Sequence, residues 1–347
     1  MDDQRDLERM LGNLRQFQSE SDASKESEKS PSNAGTSFDA DEFLAGLDAM
    51  FASHTAKDKA DEYLQQAMAD AENAQDYAGL LTVLNETMGF YRSQGRHQEN
   101  QWIIQRAIEL ALRMGLEGTE AWTTTLINAA TSQRAAGNLD QAEDLFEQAL
   151  DAARRTYGPD DRRLAALHNN RSMLFSQTHR RRQAIDELHE SLRILEHSSV
   201  DAQSDVDIAS TCTNLALAML DGEDQPTDAE LEEAQSLARR TLDIYQHAGS
   251  DSSAHYASAL AGAAHVSFAS EDYAEAVRQY QRALDVIARC YGEHTDYYRV
   301  TAQNLQEAQR KLELTQSTDN PHDSVDDSPA QSTVHTDIHR SAVHNAS

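Results

Sequence analysis

The chain has 347 residues and a formal charge of −29, from 30 Lys and Arg against 59 Asp and Glu. This charge argues against general nucleic-acid binding and against adsorption to an anionic membrane, because both surfaces attract excess Lys and Arg. No apolar run approaches the ~18–20 residues of a membrane span, and the N-terminus lacks the apolar core of a secretory signal. We therefore expect a cytoplasmic protein that binds neither nucleic acid nor membrane.

The N-terminal segment, residues 1–40, has the composition of a disordered region, because it is rich in Ser and charged residues. Such a segment buries too little apolar surface to offset the entropy of ordering. Near its start, apolar residues at helical spacing predict a short amphipathic helix. This helix either docks on a partner or groove, or merely begins the fold. Its apolar residues are Leu7, Met10, Leu11, Leu14 and Phe17.

Residues 41–314 repeat a pair of helices with a period of about 42 residues. The second helix of each pair carries a small-large-small stripe at i, i+4 and i+7, which lies on one helical face. Small residues let two backbones approach, and the large residue fills the space between them. The clearest copies are Ala142, Phe146 and Ala149; Ala184, Leu188 and Ser191; and Ala276, Tyr280 and Ala283. Weaker copies are Ala60, Leu64 and Ala67; Asn100, Ile104 and Ala107; and Ala234, Ala238 and Thr241.

Counting back from each stripe places the first helix of each pair. These first helices are predicted to begin near residues 41, 81, 123, 165, 209 and 257, and an unpaired seventh helix near residue 299. Gly95 and Gly137 fall where two pairs turn, which suits a helix C-terminus. No convincing alternation typical of strands occurs. The sequence therefore predicts an all-α fold, an α-solenoid of about six helix-turn-helix repeats with a C-terminal capping helix.

This pattern resembles the tetratricopeptide repeat family. The best match is the unit that begins at Thr123, through Leu126, Ala130, Gly137, Ala142, Phe146 and Ala149. The usual unit has about 34 residues. The longer unit here, with a Tyr-Gly linker at Tyr157-Gly158 and Tyr291-Gly292, resembles the kinesin-light-chain type. The resemblance implies a right-handed superhelix whose first helices line a concave groove. The competing interpretation is an ordinary helical bundle.

The C-terminal segment, residues 315–347, is rich in His, Asp and Ser and is also predicted to be disordered. Its histidines, His322, His335, His339 and His344, lack the close spacing of metal ligands. The chain also contains no zinc-protease motif, nucleophile elbow or phosphate loop, and its two cysteines are far apart. We therefore expect no catalytic residue, no metal and no cofactor.

The sixth position of the first helices is unusually rich in Asn. In order it holds Gly46, Glu86, Asn128, Asn170, Asn214, Gly262 and Asn304. The abundance of Asn in the chain predicts about 0.3 Asn in seven positions, against four observed. A carboxamide both donates and accepts, so a column of them can pair with the main chain of a peptide. In proteins that this repeat resembles, Asn at this position contacts bound peptide.

Other residues predicted on the same face are Asn85, Arg92, Arg134, Asn169 and His265. Together with the four Asn at the sixth position, they form the predicted partner-binding set. The alternative is that the Asn residues bridge adjacent helices, or persist from the family pattern without a ligand. Eight Arg between residues 154 and 182 leave two alternatives open as well: they hold an acidic partner segment, or they pair with nearby acids.

The favoured hypothesis is a non-catalytic scaffold or adaptor that binds a peptide or partner segment in the concave groove. One alternative is a peptide-sensing regulator whose superhelix changes conformation on binding. Such regulators often carry a DNA-binding output module, and no basic helix-turn-helix region of that kind is evident. A weaker third option is an enzyme subunit whose partner performs the catalysis.

Overall fold

The computed structural model describes residues 38–53, 56–222, 225–250 and 253–318. The predicted amphipathic helix near the N-terminus, and nearly all of the two segments predicted to be disordered, lie outside these residues. The described ranges form 13 helices and no strand. None of these helices is both long and apolar enough to cross a membrane.

The described helices form two compact units, one ending at Pro159 and one beginning at Asp160. Unit 1 contains α1 (Ala40–Ala52), α2 (Ala56–Asn73), α3 (Tyr77–Ser93), α4 (His97–Arg113), α5 (Glu120–Ala135) and α6 (Leu139–Thr156). Unit 2 contains α7 (Arg162–Gln177), α8 (Arg181–Ser198), α9 (Val206–Leu220), α10 (Asp228–His247), α11 (Ala254–Ala269), α12 (Tyr273–Tyr291) and α13 (Asp296–Thr318).

Within each unit, the odd-numbered first helices pack against the second helices that follow them. First helices of successive repeats also meet, α3 with α5 in unit 1 and α9 with α11 in unit 2. Each repeat thus buries its apolar face against its own partner helix and its sequence neighbour, which is the packing of an α-solenoid. The predicted all-α solenoid class is confirmed. Helix α13 continues to Thr318, four residues beyond the predicted end of the repeat region.

Most first helices begin three or four residues earlier than predicted, because an N-cap residue precedes the apolar positions used for counting. A Ser, Thr or Asp side-chain oxygen accepts a hydrogen bond from a backbone N–H of the first turn, which otherwise has no partner. The caps of α3, α5, α7, α9 and α11 are Asp76, Thr119, Asp161, Asp205 and Ser253.

The predicted stripes of the second helices form the core. All their residues are buried, with at most 8% of the surface of any one exposed. Three polar stripe residues, Asn100, Ser191 and Thr241, donate from their side chains to a main-chain carbonyl of the paired first helix. These bonds are Asn100 Nδ2 to Met88 O (3.0 Å), Ser191 Oγ to Ala165 O (2.9 Å) and Thr241 Oγ1 to Ala209 O (3.1 Å). The buried donors of these three side chains are therefore satisfied.

The turns inside four helix pairs share one left-handed residue. Gly95 (φ 67°) and Gly137 (φ 81°) occupy it in unit 1, as the sequence predicts. In unit 2, His179 (φ 58°) and Glu271 (φ 62°) take the same conformation. Glycine adopts positive φ at little steric cost, whereas a residue with a Cβ does not. The fold therefore imposes this conformation even where the sequence supplies no glycine.

Candidate functional site

A cavity of about 260 Å³ lies on the first helices of unit 2. Three residues of the predicted partner-binding set, Asn169, Asn170 and Asn214, line it. Its other lining residues are Ala166, Met173, Ser210, Thr213, Tyr245, His255, Ser258 and Ala259. The lining contains no Asp, Glu, Lys or Arg in the described part of the chain. The unit 2 cavity therefore offers amide and hydroxyl groups rather than formal charges, apart from the ionisable His255.

One hydrogen bond in this cavity joins two repeats. The Nδ2 of Asn214 on α9 donates to the Oδ1 of Asn169 on α7, over 2.9 Å. The Nδ2 of Asn169 in turn lies 3.5 Å from the Oγ1 of Thr211. A carboxamide has two N–H donors and an oxygen that accepts twice, so Asn214 keeps hydrogen-bonding capacity for a ligand. Asn169 thus positions Asn214 in the wall of the cavity.

Unit 1 contains the same arrangement on α3 and α5. The Nδ2 of Asn128 donates to the Oδ1 of Asn85 over 3.1 Å. The Nδ2 of Asn85 donates to the Oγ1 of Thr125 (3.1 Å) and to the carbonyl of Leu81 (3.0 Å), and Asn85 is buried. Asn85 therefore forms hydrogen bonds between adjacent helices, as the alternative interpretation of the Asn residues predicts. Asn128, which is half-buried, remains the more accessible of the pair.

The two predicted arginines of unit 1 are both desolvated. Arg134 is only 7% exposed, and the Nη1 of Arg92 is buried without a hydrogen-bond acceptor in the described ranges. Burial lowers the pKa of Arg92 below its usual value. Burial, and secondarily the positive charge of Arg92, lowers the pKa of Arg134 to about 10. At neutral pH both side chains carry their charge, in surroundings that disfavour it.

The remaining two residues of the predicted set, His265 on α11 and Asn304 on α13, do not line the unit 2 cavity. Asn304 is buried, and His265 is half-buried. The repeat register therefore assigns them to the face of the first helices without bringing them to this cavity. Their role in binding stays a prediction.

Several residues that line the cavity are absent from the set predicted from the sequence. Ser210 and Ser258 lie at the second position of their first helices, four residues before Asn214 and Gly262, so the same register could have identified them. Tyr245 comes from the second helix α10, and its Oη lies 3.3 Å from the Oγ of Ser210. The repeat register compares positions on the first helices, so it does not predict a cavity residue that lies on a second helix.

Most of the eight arginines between residues 154 and 182 contact carboxylates. The ion pairs are Arg155 with Asp151, Arg162 with Asp205 and Asp207, Arg163 with Asp161, Arg171 with Glu187, and Arg181 with Glu230. The geometry thus favours the alternative in which these arginines pair with nearby acids. In the described ranges no cluster of three or more His, Cys, Asp or Glu could hold a metal ion.

Residues 121–197 match the family model for the tetratricopeptide repeat. This segment covers nearly all of α5 to α8, which form two of the helix pairs described above. Residues 121–197 therefore contain tetratricopeptide repeats. The repeats outside the matched segment share its stripe, its spacing and its packing of first on second helices. A search of curated proteins finds no match.

The chain is similar to several solved structures. One is a variant of the Podosopora anserina putative kinesin light chain with nearly identical TPR-like repeats, with a TM-score of 0.50 and 14% identity over 60% of this chain and 95% of that one. Another is BtubC (BKLC) from P. vanneervenii, with a TM-score of 0.46 and 17% identity over 70% and 99%. The similarity to the Podosopora anserina protein supports the fold of these repeats, and it carries no information about a ligand.

Proposed function

We propose that this tetratricopeptide repeat protein is a non-catalytic scaffold or adaptor that binds an extended peptide segment of a partner protein. The observation that carries this proposal is the unit 2 cavity, in which a carboxamide ladder and several hydroxyls face a shared space. Fixed donors and acceptors of this kind match the alternating N–H and C=O groups of a peptide main chain.

The residues that line the cavity favour binding of a peptide main chain over binding of charged side chains. No Lys, Arg, Asp or Glu of the described ranges lines the cavity, so a charged side chain entering it would lose water without gaining an opposite charge. An uncharged backbone amide, by contrast, exchanges water for Asn and Ser partners. Specificity then comes from small apolar contacts beside the amides, which Met173, Ala166 and Ala259 provide.

The proposed contacts differ within the Asn ladder. Asn170 and Asn214 bind the peptide, and Asn169 positions Asn214 through the 2.9 Å hydrogen bond. In unit 1, Asn128 is the corresponding binding residue and Asn85 its positioning partner. A residue that acts by positioning is expected to affect both stability and binding, whereas a residue that contacts only ligand affects binding alone.

The experiment begins with selection of random dodecamer peptides displayed on phage against the full chain. The affinities of the selected peptides are then measured for an Asn170→Ala/Asn214→Ala variant and for a Gln246→Ala control, which removes an exposed carboxamide from the second helix α10. We expect at least a tenfold loss in the double variant and no change in the control. Equal affinity of the wild type and the double variant would refute the site, and a failure to select any peptide would refute the function.

A further inference from the structure

A second cavity, of about 360 Å³, is lined by residues of α10, α11 and α12 and of the turn between the last two helices. No described residue lines both this cavity and the unit 2 cavity. The volume falls within the range of about 300–1,000 Å³ that is typical of small-molecule sites. We call it the Arg239 cavity. The lining residues used below are Arg239, Ala263, Val266, Asp272, Glu275 and Gln279.

The buried part of the lining is apolar. Ala263 and Val266 of α11 are buried, as is Ala238 of α10, and Leu242 of α10 is half-buried. A small aliphatic group that covers these side chains removes apolar surface from water, which favours its binding. The cavity therefore offers an aliphatic surface to one part of a ligand.

Arg239 and Asp272 bring opposite charges to this cavity without pairing. Within the described residues, Arg239 forms no ion pair and no side-chain hydrogen bond, whereas its neighbour Arg240 pairs with Glu196 over 2.6 Å. The Oδ1 of Asp272 accepts from the backbone N–H of Glu275 over 3.0 Å, and no cation of the described residues pairs with Asp272. Two opposite charges therefore line one cavity and lie beyond ion-pair distance of each other.

The other polar side chains show which groups are left for a ligand. Glu275 is compensated, because its Oε2 accepts from the Nε of Arg278 over 2.9 Å. The Oγ of Ser267 donates to the Oε1 of Gln279 over 2.9 Å, which orients this amide across the pair of α11 and α12. Among the described residues, none accepts from the Nε2 of Gln279, so its two N–H donors are left for a ligand.

We propose that the Arg239 cavity binds a small aliphatic zwitterion, a molecule that carries one ammonium and one carboxylate. The guanidinium of Arg239 presents a planar fork of N–H donors that fits a carboxylate, and Gln279 adds further donors. The carboxylate of Asp272 accepts hydrogen bonds from the ammonium. The aliphatic part of the ligand contacts Ala263 and Val266. A free amino acid and a dipeptide both carry these groups, at different separations.

A ligand with a single charge fits this cavity less well. An anion that pairs with Arg239 leaves Asp272 without a partner and brings a like charge toward Asp272 and Glu275. A cation that pairs with Asp272 leaves Arg239 without a partner and brings a like charge toward it. Opposite charges in one cavity therefore discriminate against both kinds of ligand. This site goes beyond the peptide contacts proposed for the unit 2 cavity and does not rest on them.

The test is a calorimetric titration of the full chain with L-leucine and with L-leucyl-L-leucine. We expect saturable binding of at least one of them by the wild type, and at least about tenfold weaker binding by Arg239→Gln and by Asp272→Asn. The matched controls, Arg289→Gln and Asp285→Asn, remove exposed charges of α12 outside the cavity and should bind as the wild type does. No saturable binding of either zwitterion, or unchanged affinity in both test variants, would overturn the proposal.

Folding and location are checked separately. Arg239 and Asp272 are exposed, and Asn is also a good N-cap, so circular dichroism and thermal melting should show wild-type helix content in both variants. The Asn170→Ala/Asn214→Ala variant should bind the zwitterion with wild-type affinity. A loss of about tenfold or more in that variant would mean that the ligand occupies the unit 2 cavity, and it would overturn the assignment.

Two analogues test the requirement for both charges. N-acetyl-L-leucine keeps the carboxylate without the ammonium, and L-leucinamide keeps the ammonium without the carboxylate. Each should bind at least about tenfold more weakly than the preferred zwitterion, and equal binding of either analogue would overturn the zwitterion assignment. The source of the ligand follows from the two zwitterions. Tighter binding of L-leucine supports a free amino acid, and tighter binding of L-leucyl-L-leucine supports a dipeptide.

Discussion

Asn214 and Asn169 connect two successive first helices through one hydrogen bond of 2.9 Å, and Asn128 and Asn85 form the same bond over 3.1 Å. In both cases a residue at the sixth position of one repeat donates to the residue at the fifth position of the preceding repeat. A repeated bond between equivalent positions shows that the carboxamide ladder is a property of the repeat. Bridging by Asn85 and Asn169 is therefore compatible with the binding proposed for Asn128 and Asn214, so the two interpretations do not exclude each other.

The first prediction separates these two roles at neighbouring residues. Asn169→Ala should lower the free energy of unfolding by about 1–2 kcal/mol, because it leaves bonded groups of α9 without their partner. Asn170→Ala, the matched control on the same helix, should change stability by less than about 0.5 kcal/mol, because Asn170 lies in the cavity wall. Urea denaturation measures both values. Equal destabilisation by the two substitutions would contradict the division of roles.

The repeat architecture could be predicted because its determinants are local and periodic. The stripe predicted from the sequence is also the buried face in the structure. Its clearest copy, formed by Ala142, Phe146 and Ala149, is fully buried. The N-caps shift most helix starts by three or four residues because a cap such as Asp205 lies before the apolar pattern. Boundaries therefore depend on hydrogen bonds that the hydrophobic period does not contain.

The candidate site was only partly predictable, because it depends on contacts between residues distant in sequence. The register places Asn170 and Asn214 on one face correctly, since both lie on first helices. The register does not show that the side-chain amide of Asn85 on α3 donates to Thr125 on α5. It also does not show that Tyr245, from a second helix, lines the cavity. The sequence also does not show which arginines of a basic segment form ion pairs. Arg171, for example, pairs with Glu187, which lies sixteen residues later in the chain.

The second prediction tests the close approach of helices at the stripe. Ala142→Leu should destabilise the protein by ~1–3 kcal/mol, because Ala142 is fully buried and a larger side chain overpacks a core position. Ala121→Leu introduces the same side chain at an exposed position of α5 and should be nearly neutral. Thermal unfolding followed by circular dichroism distinguishes them. A wild-type melting temperature for Ala142→Leu would show that the stripe is not the tight contact.

The third prediction concerns the left-handed residue at the turn between α11 and α12. Glu271→Gly should stabilise the protein by about 0.5–1 kcal/mol, because Gly removes the strain at φ 62° at a smaller cost in unfolded-chain entropy. Glu232→Gly, at an exposed position inside α10, should instead destabilise by about 1 kcal/mol. Chemical denaturation gives both signs. Destabilisation by Glu271→Gly would mean that the Glu271 side chain contributes more than its backbone strain costs.

The fourth prediction follows from the charge of Asp205, the N-cap of α9. Hydrogen bonds from Arg162 lower the pKa of Asp205 to about 2, and Ser199 adds to this effect while burial opposes it. Because the folded-state pKa lies below the usual value of 3.8, the ionised carboxylate stabilises the fold above about pH 4. That contribution is lost as the pH falls from about 4 to 2.

Asp205→Asn tests this dependence, because Asn can still cap the helix but cannot ionise. The variant should be less stable than the wild type at pH 7, and the difference should shrink between pH 4 and pH 2. Urea denaturation across this range measures the difference. Asp243→Asn, which changes an exposed carboxylate on α10, serves as the control and should give a small, nearly constant difference. A pH-independent difference for Asp205→Asn would contradict the assignment.

The fifth prediction concerns Glu187, which holds two basic side chains in the interface of α7 and α8. Its Oε2 lies 2.6 Å from the Nδ1 of His168, and its Oε1 accepts from the Nη1 of Arg171 over 2.7 Å. All three side chains are at most 14% exposed. Removing one member of such a group leaves the others buried without compensation, which typically costs about 3–5 kcal/mol.

Glu187→Gln should therefore destabilise the protein by about 3 kcal/mol, measured by urea denaturation. Glu190→Gln is the matched control on α8, where Glu190 forms a solvent-exposed pair with Arg193 whose loss should change stability little. Replacing His168, Arg171 and Glu187 together by Leu should recover most of the loss, because buried ionic groups are seldom more stable than apolar residues of similar volume. If the triple Leu variant is as unstable as Glu187→Gln, the destabilisation comes from lost packing and not from uncompensated charge.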